Sequence, residues 1–270
     1  MRRRDPLARI PRPVLVPAAI AFLLLVGPLV ALLVRAPWAR LGALLAGDTV
    51  LPALGLSLGT ALASTGCCVV LGVPLAVVLS GADGWPAPVR RVVRALVTTP
   101  LVLPPVVGGV ALLLLLGRVG LLGGPVFRAT GFQLPYTTAS VVVAQTFVSL
   151  PFLVLGVEGA LRGVDRRFAI AATTLGAGPW TRFVRVTLPL AAPGVAAGAV
   201  LSFARAIGEF GATVTFAGSL PKVTQTLPIA AYLALNSDPD AAIAISVVLM
   251  VVAVVVLVSL RDRWLQGIGR

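Results

Sequence analysis

The sequence predicts an all-α fold, an integral membrane helical bundle of about six transmembrane helices. Hydrophobic residues fill 58% of the 270 positions and charged residues only 11%, and the mean hydropathy is +1.03. A soluble domain normally carries about a quarter charged residues, because its surface must be solvated. No stretch of the chain has that composition, so residues 1–270 are predicted to form a single transmembrane domain.

Charge-free runs define the individual spans, since a helix needs about 20 apolar residues to cross a bilayer core. Five runs lie at 14–34, 49–82, 95–117, 129–157 and 241–260, and a sixth begins after Arg185 and extends to about Ala217, interrupted by Arg205 and Glu209. The first run is longer than the core of a usual signal peptide and has no convincing small-x-small cleavage site. It is therefore predicted to remain as the first span.

Six spans place both termini on one side, and the basic residues flanking the spans indicate which side that is. With a cytoplasmic N-terminus, the cytoplasmic segments hold the arginine clusters at 2–12, 90–94, 162–185 and 261–270. The opposite side keeps only Arg35, Arg40, Arg118, Arg128 and Lys222. Both termini are therefore predicted to be cytoplasmic.

Glycine and proline are frequent within the predicted spans. They are Pro74, Pro100, Pro104, Pro105, Gly108, Gly109, Pro151, Gly194 and Gly198. Membrane helices tolerate such residues where neighbouring helices satisfy the freed backbone groups, and small residues let helices approach closely. The pattern favours kinked helices around a pathway, although a tightly packed bundle would also use it.

Composition argues against several classes of function. The net charge of +13 could indicate nucleic-acid binding, but the arginines lie in short clusters between apolar runs. Histidine is absent, and Cys67 and Cys68 are adjacent, so no metal site, catalytic residue or disulfide framework is predicted. The two cysteines are interpreted as small packing residues. The phosphate-binding pattern G-x-x-x-x-G-K-[ST] is also absent, so the chain itself is not expected to hydrolyse ATP.

The longest predicted cytoplasmic connection, residues 158–189, has the periodicity of an amphipathic helix. Phe168, Ala171, Ala172 and Leu175 are spaced i, i+3, i+4 and i+7 on one face. Gly176 and Gly178 are predicted to end this helix, after which Trp180 and Phe183 add apolar surface. Such a face must be buried against either a partner groove or the lipid interface.

The spacing within this connection resembles the E-A-A-x3-G-x9-I-x-L-P signature of ABC importer permeases. Here it is formed by Ala171, Ala172, Gly176, Val186, Leu188 and Pro189, with Ile170 in place of the glutamate. The resemblance implies a coupling helix that docks into a groove of an ATPase subunit. The docking residues would be Phe168, Ala171, Ala172, Leu175, Gly176, Trp180, Phe183, Leu188 and Pro189. Because Ile170 replaces the glutamate of the signature, the docking surface would lack one polar contact, while its apolar contacts would be kept.

Four further stretches closely resemble molybdate permeases, and they are 101–123, 145–154, 204–218 (ARAIGEFGATVTFAG) and 224–232 (TQTLPIAAY). Sulfate permeases are near relatives, but GEFGAT (208–213) and TQTLP (224–228) look more like the molybdate branch. The resemblance implies the type I ABC importer permease fold, in a homodimer in a bacterial cytoplasmic membrane. It also implies a cytoplasmic ABC ATPase dimer, which binds the ATP and Mg²⁺, and an extracytoplasmic oxyanion-binding protein. No cofactor is expected on this chain, and the transported ion would be molybdate or tungstate, with sulfate or thiosulfate as the alternative.

Arg205 and Glu209 are four residues apart within the predicted fifth span, so their side chains can meet. Ionisable residues within a span normally face the protein interior or a wet cavity. The pair is interpreted either as a packing ion pair or as part of a gate in which Arg205 attracts a passing oxyanion. Residues expected to line or narrow that path are Ser202, Gly208, Gly211, Thr213 and Thr215, with Thr98 and Thr99 as weaker candidates.

Three rival classes of function remain at this stage. A membrane enzyme would need converging acids, histidines or metal ligands, whereas the nine acidic residues are scattered mostly in loops. A stand-alone secondary transporter would need ion-binding or proton-relay groups in several spans, and only the fifth span carries charge. A structural scaffold would not account for the coupling signature.

Overall fold

The computed structural model describes residues 12–267, and the regular elements within this range are helices. They are α1 (Arg12–Arg35), α2 (Leu41–Leu45), α3 (Val50–Ser80), α4 (Ala87–Val102), α5 (Pro105–Leu116), α6 (Gly123–Thr130), α7 (Thr138–Gly163), α8 (Arg166–Thr174), α9 (Pro179–Arg182), α10 (Leu188–Ile207), α11 (Gly211–Ala217), α12 (Leu227–Ser237) and α13 (Pro239–Gly267). A π turn, Phe183–Thr187, joins α9 to α10. The arginines at 2–9 and Arg270, used above for orientation, lie outside the described residues.

Within residues 12–267, five helices are long and apolar enough to cross a membrane. They are α1, α3, α7, the continuous helix Pro179–Ile207, and α13 over Pro239–Val256. The pair α4 and α5 makes a sixth span if the bent pair is counted as one. The prediction of an all-α bundle with about six spans is therefore confirmed.

Helix α7 lies at the centre of the bundle and packs against α3 and α10. Cys68, Ala76 and Leu79 of α3 form a buried cluster with Leu153 and Val157 of α7. The burial of Cys68 agrees with its predicted packing role, whereas Cys67 is exposed.

Glycines bring α7 and α10 close together. A Cβ added at Gly156 would lie 3.1 Å from the Cα of Gly198, and one added at Gly194 would lie 2.2 Å from the Cβ of Ala160. Only small residues permit such an approach between membrane helices. For Gly194 and Gly198, therefore, the structure supports the tight-packing interpretation.

The predicted third span, 95–117, is not one straight helix. The chain bends by 116° between α4 and α5, and Leu103 between them has extended backbone angles, φ −62° and ψ 130°. A proline disfavours helical angles at the residue before it and lacks the N–H that a continuous helix requires. The adjacent Pro104 and Pro105 therefore end α4 and start α5 in a new direction.

The predicted fourth span, 129–157, is displaced toward the C-terminus. Gly131 ends α6 with φ +72°, and Tyr136 also has a positive φ of 65°. Helix α7 begins only after Thr137, whose hydroxyl accepts a hydrogen bond from the Ser140 N–H at 3.2 Å. It then continues to Gly163, so the first turns of the predicted connection 158–189 belong to the span.

Candidate functional site

The segment that follows α7 forms the helix predicted by its periodicity. Asp165 starts α8 by accepting a hydrogen bond from the Arg167 N–H at 2.9 Å, as a helix N-cap does. The helix ends at Thr174, and Gly176 adopts the left-handed conformation with φ +82°. This conformation favours glycine because it has no Cβ. Pro179 then opens α9 and the long helix that leads into the bundle.

Four large apolar side chains of this segment are more than half exposed. The exposed fractions are 54% for Phe168, 64% for Ile170, 88% for Leu175 and 75% for Trp180, and these four residues are called the exposed apolar surface below. Of the other predicted docking residues, Ala171, Gly176 and Pro189 are exposed, and Ala172, Phe183 and Leu188 are half-buried. Ile170, which departs from the signature, thus adds apolar area to the surface.

The exposed apolar surface is held on a small, ordered support. Helix α8 packs against α9 and the π turn. The Arg182 Nη1 donates a hydrogen bond to the Thr173 hydroxyl at 3.1 Å, and the rings of Trp180 and Phe183 lie 5.9 Å apart. The π turn then connects this support directly to α10.

The second group of predicted residues lies where α10 breaks before α11. Arg205 Nη1 and Glu209 Oε2 are 2.6 Å apart, and their side chains are 26% and 1% exposed. The second carboxylate oxygen of Glu209 accepts a hydrogen bond from the Ala212 N–H at 2.8 Å. Glu209 thus holds the first turn of α11, a position where helix N–H groups lack backbone partners. The carboxylate has a packing role, while Arg205 keeps part of its surface open.

The remaining predicted pathway residues occupy different environments. Ser202 is fully buried and its hydroxyl donates to the Ser149 carbonyl at 3.1 Å. Thr213 is also fully buried. Thr215 donates to its own helix at the Gly211 carbonyl, 2.8 Å away, and Gly208 is exposed at the break.

Gly211 is explained by the close approach of α11 to α5. A Cβ at Gly211 would lie 2.7 Å from the Cβ of Pro105, and a Cβ at Gly109 would lie 2.7 Å from the Cβ of Thr215. The two helices therefore contact through their glycines. This contact connects the bent pair α4–α5 to the break that carries Arg205 and Glu209.

Thr98 and Thr99 form hydrogen bonds within their own helix. The Thr98 hydroxyl donates to the Arg94 carbonyl at 2.9 Å, and the Thr99 hydroxyl donates to the Ala95 carbonyl at 2.8 Å. Such local bonds are common for threonine in membrane helices. Both hydroxyls thus bond their own helix, which is the alternative to lining a pathway.

Two polar features were not predicted as sites. Glu158, near the end of α7, forms ion pairs with Arg94 of α4 and with Arg162. Only the spacing of Glu158 and Arg162 was visible in the sequence, because Arg94 comes from a distant helix.

Gln145 is fully buried in α7, and neither the nitrogen nor the oxygen of its side-chain amide has a hydrogen-bond partner among the described residues. No group of three or more potential metal ligands occurs between residues 12 and 267.

Comparison with known proteins agrees with this architecture. The sequence profile of the binding-protein-dependent transport system inner membrane component family matches residues 69–267. The molybdenum transport system permease protein ModB of Mycobacterium tuberculosis is 50% identical over 254 residues, covering 94% of this chain and 95% of that protein. The protein of the same name from Escherichia coli is 38% identical over 183 residues, covering 68% and 80%.

Solved structures share the fold at low sequence identity. A chain of a bacterial ABC transporter that imports the polysaccharide alginate superposes with a TM-score of 0.70 at 18% identity, covering 95% of both chains. A chain of the MetNI methionine ABC transporter in an inward-facing conformation gives 0.64 at 19% identity, covering 82% of this chain and 97% of that one.

The helical bundle and the match to this family define a multi-pass cell membrane protein that serves as a transport subunit and is not itself an enzyme. The chain belongs to the family of binding-protein-dependent transport system inner membrane components.

Proposed function

We propose that this chain is the membrane-spanning permease subunit of an ATP-driven importer, and that the imported ion is molybdate. The substrate is supported by the relatives that bear the name molybdenum transport permease, at up to 50% identity over 94% of this chain. One observation carries the mechanism: an apolar surface stands exposed on α8, on the turn after it and on the first turn of the helix Pro179–Ile207. The fold is a single transmembrane domain, and the part of 158–189 that follows α7, residues 164–189, is its coupling segment.

The exposed apolar surface is the docking site for a cytoplasmic ABC ATPase. An apolar helix face outside the bilayer gains stability when it enters a partner groove, because apolar area is then removed from water. The partner ATPase dimer binds ATP and Mg²⁺, while this chain contributes no cofactor. Movement of the docked segment would pass through the π turn into α10, since these elements are continuous.

Arg205 lies on the pathway of the anion. Its side chain is 26% exposed although its partner Glu209 is buried. A partly exposed guanidinium provides positive potential for a dianion without enclosing it. Conduction requires such weak contacts, because a pathway that binds an ion tightly does not release it. The other residues predicted for this path follow one another along the chain: Ser202 lies on α10, Gly208 at the break, and Gly211, Thr213 and Thr215 on α11.

A second copy of the chain completes the pathway. A charged group facing lipid in a span is costly, so such groups face protein or a water-filled cavity. In the isolated chain, part of the Arg205 side chain is not covered by protein. In a homodimer, the second copy and a water-filled path between the two copies would surround it. The outer surfaces, including those of α1, remain for lipid.

The direction of import follows from the orientation. Both termini and the exposed apolar surface would be cytoplasmic, and the opposite side would receive the oxyanion from an extracytoplasmic binding protein. Strong selection among tetrahedral dianions is assigned to that binding protein. Uptake of labelled molybdate in the presence of tungstate or sulfate would show which ion the assembled importer prefers.

The docking assignment is tested by the substitution Leu175→Asp. Leu175 is 88% exposed in the isolated chain, so the substitution leaves the bundle intact. In the docked complex it would place an unpaired carboxylate in an apolar interface, which costs more than about 1.4 kcal/mol and lowers affinity at least about tenfold. Recovery of the ATPase in a pull-down from detergent should fall accordingly.

The matched control is Leu121→Asp, because Leu121 is 79% exposed on the loop between α5 and α6. The control should retain wild-type recovery of the ATPase. Equal recovery with both variants would show that the exposed apolar surface does not dock the ATPase.

A further inference from the structure

A buried carboxylate links two helices close to the start of the coupling segment. The Glu158 side chain is 8% exposed, and its Oε1 accepts hydrogen bonds from Arg94 of α4 and from Arg162 of α7. The Arg162 Nη2 lies 2.7 Å from that oxygen, and the Arg162 side chain is 58% exposed. The Arg94 side chain is only 35% exposed, and its Nε is buried without a partner among the described residues.

The two ion pairs differ in what they can do. Arg162 lies on the same helix as Glu158 and is well exposed, and such pairs contribute little to stability. Arg94 is the group that connects one helix to another. Because both Glu158 and part of Arg94 are buried, removing the carboxylate would leave an uncompensated charge between α4 and α7.

The bridge lies between the two regions that the proposed function requires. Helix α7 ends at Gly163, just before the segment with the exposed apolar surface. In the other direction, α4 leads through the 116° bend to α5. Helix α5 contacts α11 at Gly109 and Gly211. The ion pair is therefore one physical connection between the coupling segment and the helix that Glu209 holds.

The apolar contacts between α4 and α7 do not fix this position by themselves. Val93 and Val97 of α4 pack on the cluster that contains Leu153 and Val157. Apolar packing is not directional, so these valines attract α4 to α7 without specifying its exact position along α7. A charge-assisted hydrogen bond to a buried carboxylate specifies geometry as well as attraction.

We propose that Glu158 is a positioning residue that makes α4 move with the coupling segment, so that ATP-driven movement reaches the α5–α11 contact. This inference rests on the proposed function. Glu158 does not contact the exposed apolar surface, so it acts after the ATPase has docked.

The test compares three neutralising substitutions in the full chain reconstituted with its ATPase and binding protein in liposomes. Glu158→Gln should leave ATPase recovery unchanged and lower the number of molybdate ions transported per ATP hydrolysed by about fivefold, the size of a typical coupling effect. Arg162→Gln should change the ratio less than about twofold, because its ion pair is exposed. Arg91→Gln, on the exposed side of α4, is the matched arginine control and should match wild type.

A charge exchange separates positioning from general loss of structure. The double variant Glu158→Arg with Arg94→Glu restores an opposite-charge pair between α4 and α7 and should recover at least about half of the wild-type transport ratio, since directly coupled residues show such non-additivity. Failure of the exchange to improve on Glu158→Gln, or a wild-type ratio in Glu158→Gln, would overturn the proposal. Loss of ATPase recovery in Glu158→Gln would also overturn it, because the residue would then belong to docking.

A distance measurement tests the same idea without transport. Spin labels at Leu96→Cys and Leu155→Cys, both exposed positions on α4 and α7, are introduced after Cys67 and Cys68 are replaced by serine. The distance distribution should be narrow in the wild-type background and broader with Glu158→Gln, in both nucleotide-free and vanadate-trapped complexes. Identical distributions would contradict the proposal. Absence of molybdate uptake by the wild-type complex would instead count against the proposed function.

Discussion

The ion pair between Arg205 and Glu209 has two members with unequal surroundings. Glu209 is buried and is satisfied by Arg205 and by the Ala212 N–H. Arg205 retains an exposed fraction of 26%. Removing the arginine therefore has two separable effects: it leaves a buried carboxylate with one fewer partner, and it takes positive potential from the proposed pathway.

We expect Arg205→Ala to lower molybdate uptake by about tenfold, equivalent to about 1.4 kcal/mol, and to lower membrane abundance less. Uptake and abundance are measured on the same vesicles. The double variant Arg205→Ala with Glu209→Gln removes the unpaired carboxylate, so it should restore abundance without restoring uptake. Full uptake by an abundant Arg205→Ala protein would exclude a role for this arginine in the pathway.

At the scale of elements, the contact between α5 and α11 depends on glycine. The bend after α4 directs α5 toward α11, and the helices approach until a Cβ at Gly109 would lie 2.9 Å from the Ala212 carbonyl oxygen. A methyl group at this point cannot be accommodated by rotating a side chain, because the neighbour is backbone. The two helices would have to separate.

We expect Gly109→Ala to destabilise the protein by about 1–3 kcal/mol, the usual cost of overpacking. The control is Gly66→Ala in α3, where an added Cβ meets nothing within 4 Å. In that open helical position alanine should be neutral or stabilise by about 0.5–1 kcal/mol. Thermal unfolding in detergent measures both, and a Gly109→Ala variant as stable as the control would show that the contact is looser than described.

The elements also show where sequence reasoning succeeded. The runs 14–34 and 49–82 correspond closely to α1 and α3, because the length of a charge-free run reports directly on a straight span. The run 95–117 is equally apolar, and its prolines favoured a kink, but hydropathy does not report direction, so a bend as large as 116° at Pro104 and Pro105 was not predicted. The run after Arg185 is interrupted by Arg205 and Glu209, and the helix does break at Gly208–Phe210.

The candidate site was predictable only in part. The coupling segment was found because its signature is local in the sequence. The bridge from Arg94 to Glu158 joins positions 64 residues apart, and nothing local indicates such a pair. The burial of Gln145 and of Ser202 likewise depends on which face of each helix the bundle encloses.

At the scale of the whole molecule, the proposed orientation gives the protein two chemically different ends. One end carries the exposed apolar surface and Arg94, Arg162 and Arg182. The other carries the glycine-rich loop after α5, where Val119 is 97% exposed. The arginine bias predicts that the first end is cytoplasmic.

We expect a cysteine at position 175 to react with an impermeant maleimide only from the cytoplasmic side, and a cysteine at position 119 only from the outside. Leu175 is 88% exposed and Val119 97% exposed, so either thiol is reachable. The substitutions Leu175→Cys and Val119→Cys are made after Cys67 and Cys68 are replaced by serine. Right-side-out and inverted vesicles are compared, and the reverse labelling pattern would mean that the chain is inserted the other way round.

The π turn at Phe183–Thr187 holds an extra residue within an otherwise continuous helix. Each residue of a helix rotates the chain by about 100°. One residue gained or lost in the π turn would therefore rotate α8 and α9, with the exposed apolar surface, about the axis of α10. Neither the residues of the exposed apolar surface nor the glycines at the contact between α7 and α10 would need to change. A change in the length of the π turn alone could thus change the direction in which the proposed ATPase docks, while the helices on either side of the turn keep their sequences.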